Sequence, residues 1–182
     1  ITKNLVDLMG GTIEVESELG AGSIFRLQLD LRICEASEKD PSFWEKYNIR
    51  RMIVADDDEY VCRNIAQAMK CTGVEVSYTT NGMQAIAMLR GARKKGENYD
   101  LMLLDWKMPD FDGLQTVKLL HKDDSEHIPV IIFTSYDWSE IEEEALKAGV
   151  NHFLTKPFFM HSFKEAVAQA LGGGKDEHSI MP

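Results

Sequence analysis

The 182-residue sequence is poor in cysteine and lacks long apolar segments. Its three cysteines, Cys34, Cys62 and Cys71, are odd in number and have no metal-binding spacing. This usage indicates reduced thiols in a cytoplasmic protein. No apolar run is long enough to span a membrane, and no signal peptide is recognisable. We therefore expect a cytoplasmic chain that makes no direct contact with a membrane.

Basic residues are also scarce relative to acidic ones. The 30 Asp and Glu residues outnumber the 20 Lys and Arg residues, so the formal net charge is −10. A negative field of this size repels phosphate backbones, which argues against binding to DNA or RNA. Hydrophobic residues still make up 44% of the chain, enough to form a buried core.

Residues 1–33 have the pattern of a short helix followed by two alternating strands. The helix shows one apolar face and is ended by a Gly-Gly pair, and the strands are joined by a turn that contains glycine. The chain starts at Ile1 rather than methionine, and residues 3–6 have the pattern of mid-helix. We therefore expect the sequence to be a piece of a longer protein.

Residues 34–50 are charged and are predicted to form a linker. Within them Phe43, Trp44 and Tyr47 have a spacing that would suit a short helix docked on a neighbouring surface. Packing, rather than stacking on a ligand, is the role that this aromatic group indicates. At the other end of the chain, residues 172–182 begin with glycines and are predicted to be a mobile tail.

Residues 51–171 alternate between short apolar runs and amphipathic stretches, five times over. The apolar runs are continuous, which is typical of parallel strands covered on both faces. Alternating strands and helices with right-handed crossovers predict an α/β fold with a doubly wound, five-stranded parallel sheet. The predicted strands lie near residues 52–55, 74–78, 101–104, 130–133 and 152–155.

Charged and polar side chains stand at the carboxyl ends of four of these strands. Asp56 and Asp57 follow the first strand, and Asp105 ends the third. Thr134 ends the fourth strand, and Lys156 follows the fifth. The carboxyl ends of the strands form the ligand-binding edge of an open α/β sheet. Three carboxylates, one hydroxyl and one ammonium at that edge predict a site for a divalent cation and a phosphoryl group.

With these residues in this order on five strand–helix units, residues 51–171 resemble a two-component receiver domain. The resemblance implies a flavodoxin-like sheet with strand order 2-1-3-4-5, which places the first and third strands side by side. The motifs that carry the resemblance are Asp56-Asp57, Leu104-Asp105 with Met108-Pro109 and Asp112-Gly113, Thr134-Ser135, and Lys156-Pro157-Phe158.

The resemblance also implies a metal site. Mg²⁺ is the expected cofactor, because it is a hard ion that prefers oxygen ligands and because clustered carboxylates repel an incoming phosphate. Asp57, Asp105 and the carbonyl of Lys107 are the implied direct ligands. Asp56 is expected to act on the ion through water.

Asp105 is the implied nucleophile of the phosphoryl-transfer reaction. It would accept a phosphoryl group from the phosphohistidine of a histidine-kinase dimerisation domain. Lys156 would neutralise one phosphoryl oxygen, and Thr134 would donate a hydrogen bond to another. Phe153 occupies the position of the family's switch aromatic, whose rotamer changes when Thr134 moves.

Residues 1–31 carry a second resemblance, to the C-terminal end of a histidine-kinase ATP-binding domain. The stretches that carry it are Thr2–Gly11, Ile13–Ser17 and Gly20–Phe25. The glycine-rich lid and the asparagine and aspartate motifs of that family are absent, so we expect neither ATP binding nor kinase activity. A kinase end, a linker and a receiver together imply a hybrid sensor histidine kinase, with a membrane anchor elsewhere in the parent as one option. A downstream histidine phosphotransfer protein is a further expected partner.

Three other readings remain open. The receiver could belong to a stand-alone response regulator. A haloacid-dehalogenase-type phosphatase would use Asp56-Asp57-Asp58 as its nucleophile motif, but no late acidic pair follows Lys156. A flavodoxin-like nucleotide or flavin binder would need a phosphate-cradling loop where this chain has consecutive acids.

Taken singly, Asp58 and Asp112 have the simpler role of helix caps.

Two further expectations concern the site. The family uses a cis peptide bond to direct the lysine inward, so we predict that the Lys156–Pro157 bond is cis. We also predict a long-lived phosphoryl group, because the side chains of Lys107 and Tyr136 should crowd the path of the water that attacks it.

Overall fold

The computed structural model describes residues 2–30, 41–109, 111–122, 128–135, 142–150 and 152–172. Cys34, Tyr136 and all but the first residue of the predicted tail lie outside these ranges. The chain divides into two compact units, Ile1–Ser37 and Glu38–Pro182. In the described part of the chain, no helix is both long enough and apolar enough to cross a membrane.

The first unit is a helix followed by a β-hairpin, as predicted. Its elements are α1 (Thr2–Leu8), β1 (Thr12–Glu18) and β2 (Gly22–Gln28). The two strands pair antiparallel, with Val15 opposite Phe25. Gly20 in the connecting turn and Gly22 at the start of β2 have φ values of 84° and 111°, which a residue with a Cβ rarely adopts.

The second unit is built on a five-stranded parallel sheet of order β4-β3-β5-β6-β7. Numbered within the sheet, this order is 2-1-3-4-5, so the predicted doubly wound, flavodoxin-like fold is confirmed. The strands are β3 (Arg51–Ala55), β4 (Glu75–Thr79), β5 (Leu101–Asp105), β6 (Val130–Thr134) and β7 (Phe153–Thr155). The helices are α2 (Pro41–Lys46), α3 (Glu59–Met69), α4 (Gly82–Lys94), α5 (Gly113–His121), α6 (Glu142–Lys147) and α7 (Met160–Leu171).

The sheet is covered on both faces, which explains the continuous apolar runs. Along β5, Leu101 and Leu103 belong to one buried cluster, while Met102 and Leu104 belong to another on the opposite face. Because successive strand residues point to opposite faces, both parities must be apolar. The sheet is thereby held rigidly, and its carboxyl edge can present polar groups in defined positions.

Part of the predicted linker belongs to the second unit. Residues 41–46 form the short helix α2, and Trp44 on this helix is only 2% exposed. The Trp44 ring lies 5.7 Å, centroid to centroid, from that of Phe163 on α7. Ile49, which follows the helix, is also buried in the same cluster. Burial of these apolar groups removes them from water and stabilises the docked helix.

Candidate functional site

Two neighbouring strands place the acidic residues of the site. β3 and β5 pair directly, with Ala55 opposite Leu104, so the residues after Ala55 and Leu104 emerge side by side. Carboxylate oxygens of Asp56, Asp57 and Asp105 all lie within 4.8 Å of one another. The structure therefore brings together the three carboxylates that the sequence singled out.

These three carboxylates differ in exposure. Asp56 is fully buried and Asp105 is 5% exposed, whereas Asp57 is exposed to solvent. Asp56 also receives a hydrogen bond on Oδ1 from the backbone N–H of Asp58 at 3.0 Å. Asp56 is thus a buried acid held by a backbone hydrogen bond, and Asp57 is the acid of the cluster that is accessible from solvent.

Lys156 bridges the two buried acids. Its Nζ atom lies 2.7 Å from Oδ2 of Asp56 and 2.9 Å from Oδ2 of Asp105. The backbone N–H of Lys156 donates to the carbonyl of Thr134 at 2.8 Å, which ties the residue to the end of β6. The peptide bond between Lys156 and Pro157 is cis, as predicted.

The local environment shifts the pKa values of two of these groups. Burial raises the pKa of the Asp105 carboxyl above its ordinary value of 3.8, and the hydrogen bond from Lys156 offsets this only in part. Burial alone would lower the pKa of the Lys156 ammonium, but its bonds with Asp56 and Asp105 outweigh that effect and raise it. The ammonium is therefore charged at neutral pH.

The donor set suits a hard divalent cation. With all three carboxylates ionised and Lys156 protonated, negative charge remains uncompensated at this edge. Closely spaced carboxylate oxygens are the ligands that Mg²⁺ prefers, with water completing its shell. The backbone N–H of Lys107 donates to Oδ1 of Asp105 at 3.2 Å, which holds residue 107 beside the cluster.

Thr134 and Phe153 lie on the two adjacent strands β6 and β7. Thr134 is fully buried at the end of β6. Phe153 is half-buried at the start of β7, where it pairs with Ile132. Thr134 and Phe153 line the same cavity, between β7 and α7. The two residues that the resemblance links as a switch are therefore neighbours at one cavity.

The other two acids that the sequence flagged are helix caps. The Asp58 side chain accepts from the backbone N–H of Tyr60 at 2.8 Å at the start of α3. Asp112 caps α5 and forms a capping box with Gln115. Each satisfies backbone donors that the first turn of a helix leaves unpaired.

Gly113 has a steric role that its motif alone did not explain. A Cβ at this position would lie 2.6 Å from the carbonyl oxygen of Asp105 and 2.8 Å from Cα of Trp106. The start of α5 therefore packs directly on the backbone that follows the nucleophile candidate. Only glycine permits this approach.

Cys62 is a neighbour of the site that sequence reasoning treated as an ordinary thiol. Its Sγ atom lies 3.5 Å from the carbonyl oxygen of Asp56 and 3.7 Å from that of Thr79. Burial, with the nearby Asp56 charge, raises the pKa of this thiol to about 12. No local motif marks the residue, and its contact with Thr79 comes from 17 residues along the chain.

The predicted crowding of the attacking water rests partly on Tyr136, which lies outside the described residues. For Lys107 the structure shows an exposed side chain next to the acidic cluster. The lifetime of a phosphoryl group on Asp105 stays a prediction.

Comparisons with known proteins agree with this geometry. The profile described as "Response regulator receiver domain" matches residues 52–168. The Chemotaxis protein CheY homolog of Campylobacter jejuni is 31% identical over 129 residues, which cover 70% of this chain and 96% of that protein. The structure of the Francisella response regulator 1452 receiver domain matches with 30% identity and a TM-score of 0.56, covering 68% of this chain and 97% of that one.

A longer relative is also similar. The Autoinducer 2 sensor kinase/phosphatase LuxQ of Vibrio cholerae is 30% identical over 178 residues, which cover 92% of this chain. The chain spans only about a fifth of that protein's length, since the match covers 20% of it.

Proposed function

The chain belongs to the response regulator receiver domain family, and from that membership we propose that Asp105 accepts a phosphoryl group in a Mg²⁺-dependent reaction. The observation that supports this proposal most directly is the contact of Lys156 with Asp105 beside the three-carboxylate cluster. Receiver domains of two-component systems take phosphoryl groups from histidine kinases or from phosphotransfer proteins.

In the proposed reaction an Asp105 oxygen attacks phosphorus in line with the leaving imidazole of a phosphohistidine. The new P–O bond forms as the P–N bond breaks, and the electron pair of the broken P–N bond stays on the imidazole nitrogen. A transfer of this kind is accelerated mainly by positioning and by charge stabilisation. The Lys156 ammonium already contacts the Asp105 carboxylate, and it would pair with a negatively charged phosphoryl oxygen as the group is transferred.

Mg²⁺ would be held by Asp57, Asp105 and the residue 107 backbone, with Asp56 acting on its waters. When bound, the ion supplies positive charge that reduces repulsion between the acids and the incoming phosphoryl group. The buried position of Asp56 and the exposed position of Asp57 fit this division of roles. Thr134 is proposed to bind a second phosphoryl oxygen, and Phe153 to respond to its movement.

We further propose that the parent protein is a hybrid histidine kinase and that residues 1–33 are the end of its ATP-binding domain. The helix and hairpin of the first unit support this proposal. The LuxQ alignment also supports it, because that alignment spans 178 residues and is therefore longer than the range 52–168 that the receiver profile matches. The donor would be the phosphohistidine of the dimerisation domain, with a histidine phosphotransfer protein downstream. The cytoplasmic location expected from the sequence is part of this proposal.

A stand-alone response regulator is the second candidate, since the Campylobacter CheY homolog is matched over 96% of its length by part of this chain. The sequence upstream of residue 1 discriminates between the two. A phosphoacceptor histidine helix followed by an intact ATP-binding region would establish the hybrid kinase. The phosphatase and flavin-binder readings lose their support, because the receiver profile matches the same residues.

Phosphorylation with acetyl phosphate and Mg²⁺ tests the proposed reaction. Intact-mass spectrometry should show one added phosphoryl group on the wild-type chain and none on Asp105→Asn. Asp112→Asn is the matched control, because asparagine still caps α5 and the residue is not placed in the site. Undiminished labelling of Asp105→Asn would overturn the assignment of the nucleophile.

A further inference from the structure

A row of aromatic rings connects the site lysine to helix α2. Lys156 Nζ lies 5.3 Å from the ring centroid of Phe133. The Phe133 ring meets Phe158 edge-on, with centroids 6.3 Å apart. Phe158 lies 5.2 Å from Phe163, and Phe163 lies 5.7 Å from Trp44. We call Phe133, Phe158, Phe163 and Trp44 the aromatic row.

The aromatic row lies on the opposite face of the sheet from Phe153. Phe133, Phe163 and Trp44 belong to one buried cluster, and Phe158 packs against it. Phe153 packs against the cluster on the other face. The row is therefore a separate connection from the Thr134–Phe153 pair.

Lys156 is the point at which chemistry at Asp105 would act on the row. Its ammonium has three N–H donors; it donates to Asp105, forms an ion pair with Asp56 and lies over the face of Phe133. A phosphoryl group on Asp105 adds charged oxygens beyond the carboxylate, so these donors must be redistributed. Phe158 is two residues from Lys156 on the same short segment, so a displacement of Lys156 would also displace Phe158.

Close packing makes the row able to transmit such a change. Phe133, Phe163 and Trp44 are 1%, 0% and 2% exposed, so a shift of one ring acts on the rings packed beside it. Side chains packed at this density respond by moving between discrete arrangements.

Helix α2 has a feature that favours a second arrangement. The Trp44 Nε1 donor is buried and has no hydrogen-bond partner among the residues that the structure describes. A buried donor without an acceptor is unfavourable, and it gains a partner when the indole becomes hydrated. α2 is therefore held in place by the packing of its rings and by a cation–π contact, in which Lys164 Nζ lies 5.3 Å from the ring centroid of Phe43.

We infer that the docking of α2 is coupled through the aromatic row to the phosphorylation state of Asp105. α2 is the first described element after residues 31–40, through which the chain continues to the first unit. Phosphorylation would in this way alter the docking of the helix with which the described part of the second unit begins. The inference rests on the proposed function, because it requires Asp105 to carry the phosphoryl group.

Fluorine NMR of the whole chain labelled with 5-fluorotryptophan tests this coupling. The three tryptophans, Trp44, Trp106 and Trp138, give separate probes that are assigned by single Trp→Phe variants. Beryllofluoride with Mg²⁺ serves as the phosphoryl analogue. Trp106 directly follows Asp105 and reports occupancy of the site. We expect both the Trp106 and the Trp44 resonances to shift.

A break in the row should separate the two signals. In Phe163→Leu the Trp106 shift should persist, while the Trp44 shift should be lost. Phe158→Leu breaks the same row at a half-buried position and serves if the first variant does not fold. Ile86→Val, a buried change on the other face, should keep both shifts.

Each other outcome has a defined meaning. A Trp106 shift without a Trp44 shift in the wild-type chain overturns the coupling and leaves the proposed function intact. A Trp44 shift that survives both row variants overturns the aromatic route. Absence of any shift means that the site does not bind the analogue, which overturns the proposed function together with the coupling.

Discussion

Lys156 lies closer to Asp56 than to Asp105, with Nζ–Oδ2 distances of 2.7 and 2.9 Å. The Lys156 ammonium is therefore paired more closely with the fully buried Asp56 than with Asp105, the proposed nucleophile. This pairing compensates the charge of Asp56, which has no access to solvent. It also means that the lysine and a bound metal ion act on the same carboxylates.

Replacing Lys156 with methionine should destabilise the chain and increase its dependence on Mg²⁺. Loss of the ammonium leaves Asp56 without its cation, at a cost of about 1–2 kcal/mol for a pair that is partly open to water. Added Mg²⁺ should therefore stabilise Lys156→Met more than the wild type in urea unfolding. Lys147→Met, which removes an exposed pair with Glu143, should cost no more than about 0.5 kcal/mol. Equal stabilisation by Mg²⁺ in both proteins would contradict competition for these acids.

Alkylation should distinguish the two described cysteines. Cys62 is buried and burial raises its pKa to about 12, so almost none of it is thiolate at pH 8. Cys71 is exposed, two residues after the end of α3. Brief treatment of the folded chain with iodoacetamide, followed by peptide mapping, should modify Cys71 and leave Cys62 unmodified. In urea both should react. Early modification of Cys62 in the folded chain would be inconsistent with its position under the site.

Stability should depend on the protonation of His152. Burial lowers its pKa below the ordinary value of 6.5 in the folded chain. At pH values between the folded and the unfolded pKa of His152, the unfolded chain binds more protons than the folded chain. The contribution of neutral His152 to the free energy of unfolding is therefore complete above pH 6.5 and is lost as the pH falls towards the folded pKa. The free energy of unfolding of the wild type should fall more between pH 8 and pH 5 than that of His152→Gln. Parallel pH profiles would exclude this role.

The second unit should fold without the first. Deleting residues 1–33 is expected to preserve both the fold and the phosphorylation of Asp105, since the buried clusters of the second unit lie outside that segment. Trp44→Ala should instead lower stability by about 3–5 kcal/mol, because it opens a cavity in one of those clusters. Circular dichroism and urea unfolding measure both changes. Leu8→Ala, at an 84% exposed position, is the control and should have little effect.

The phosphoryl group should be lost faster when Lys107 and Tyr136 are both replaced by alanine. The reason is steric, since smaller side chains leave room for a water in line with phosphorus. The decay is followed by intact-mass spectrometry after acetyl phosphate is removed. Lys118→Ala, an exposed change on α5, should leave the rate unchanged. A rate in the double variant that is equal to or slower than that of the wild type would contradict the steric explanation.

Most of the fold and the identity of the site acids could be predicted from the sequence. Each βα unit is specified by local signals: an apolar run, a polar residue at its end and a helix with one apolar face. Asp56 and Asp105 stand out because they follow such runs directly. Strand ends in a parallel sheet meet at one edge, so position along the chain was enough to predict their proximity.

The tertiary structure alone decided contacts between elements that are distant in sequence. The sequence predicted Lys156 at the same sheet edge as Asp105, but its closer contact, 2.7 Å to Oδ2 of Asp56, follows from packing that no motif encodes. The packing of Trp44, which lies in the predicted linker, on Phe163 of α7 is of the same kind. Periodicity and turn signals act over a few residues, whereas these contacts depend on sheet order and on how helices fill the space beside it.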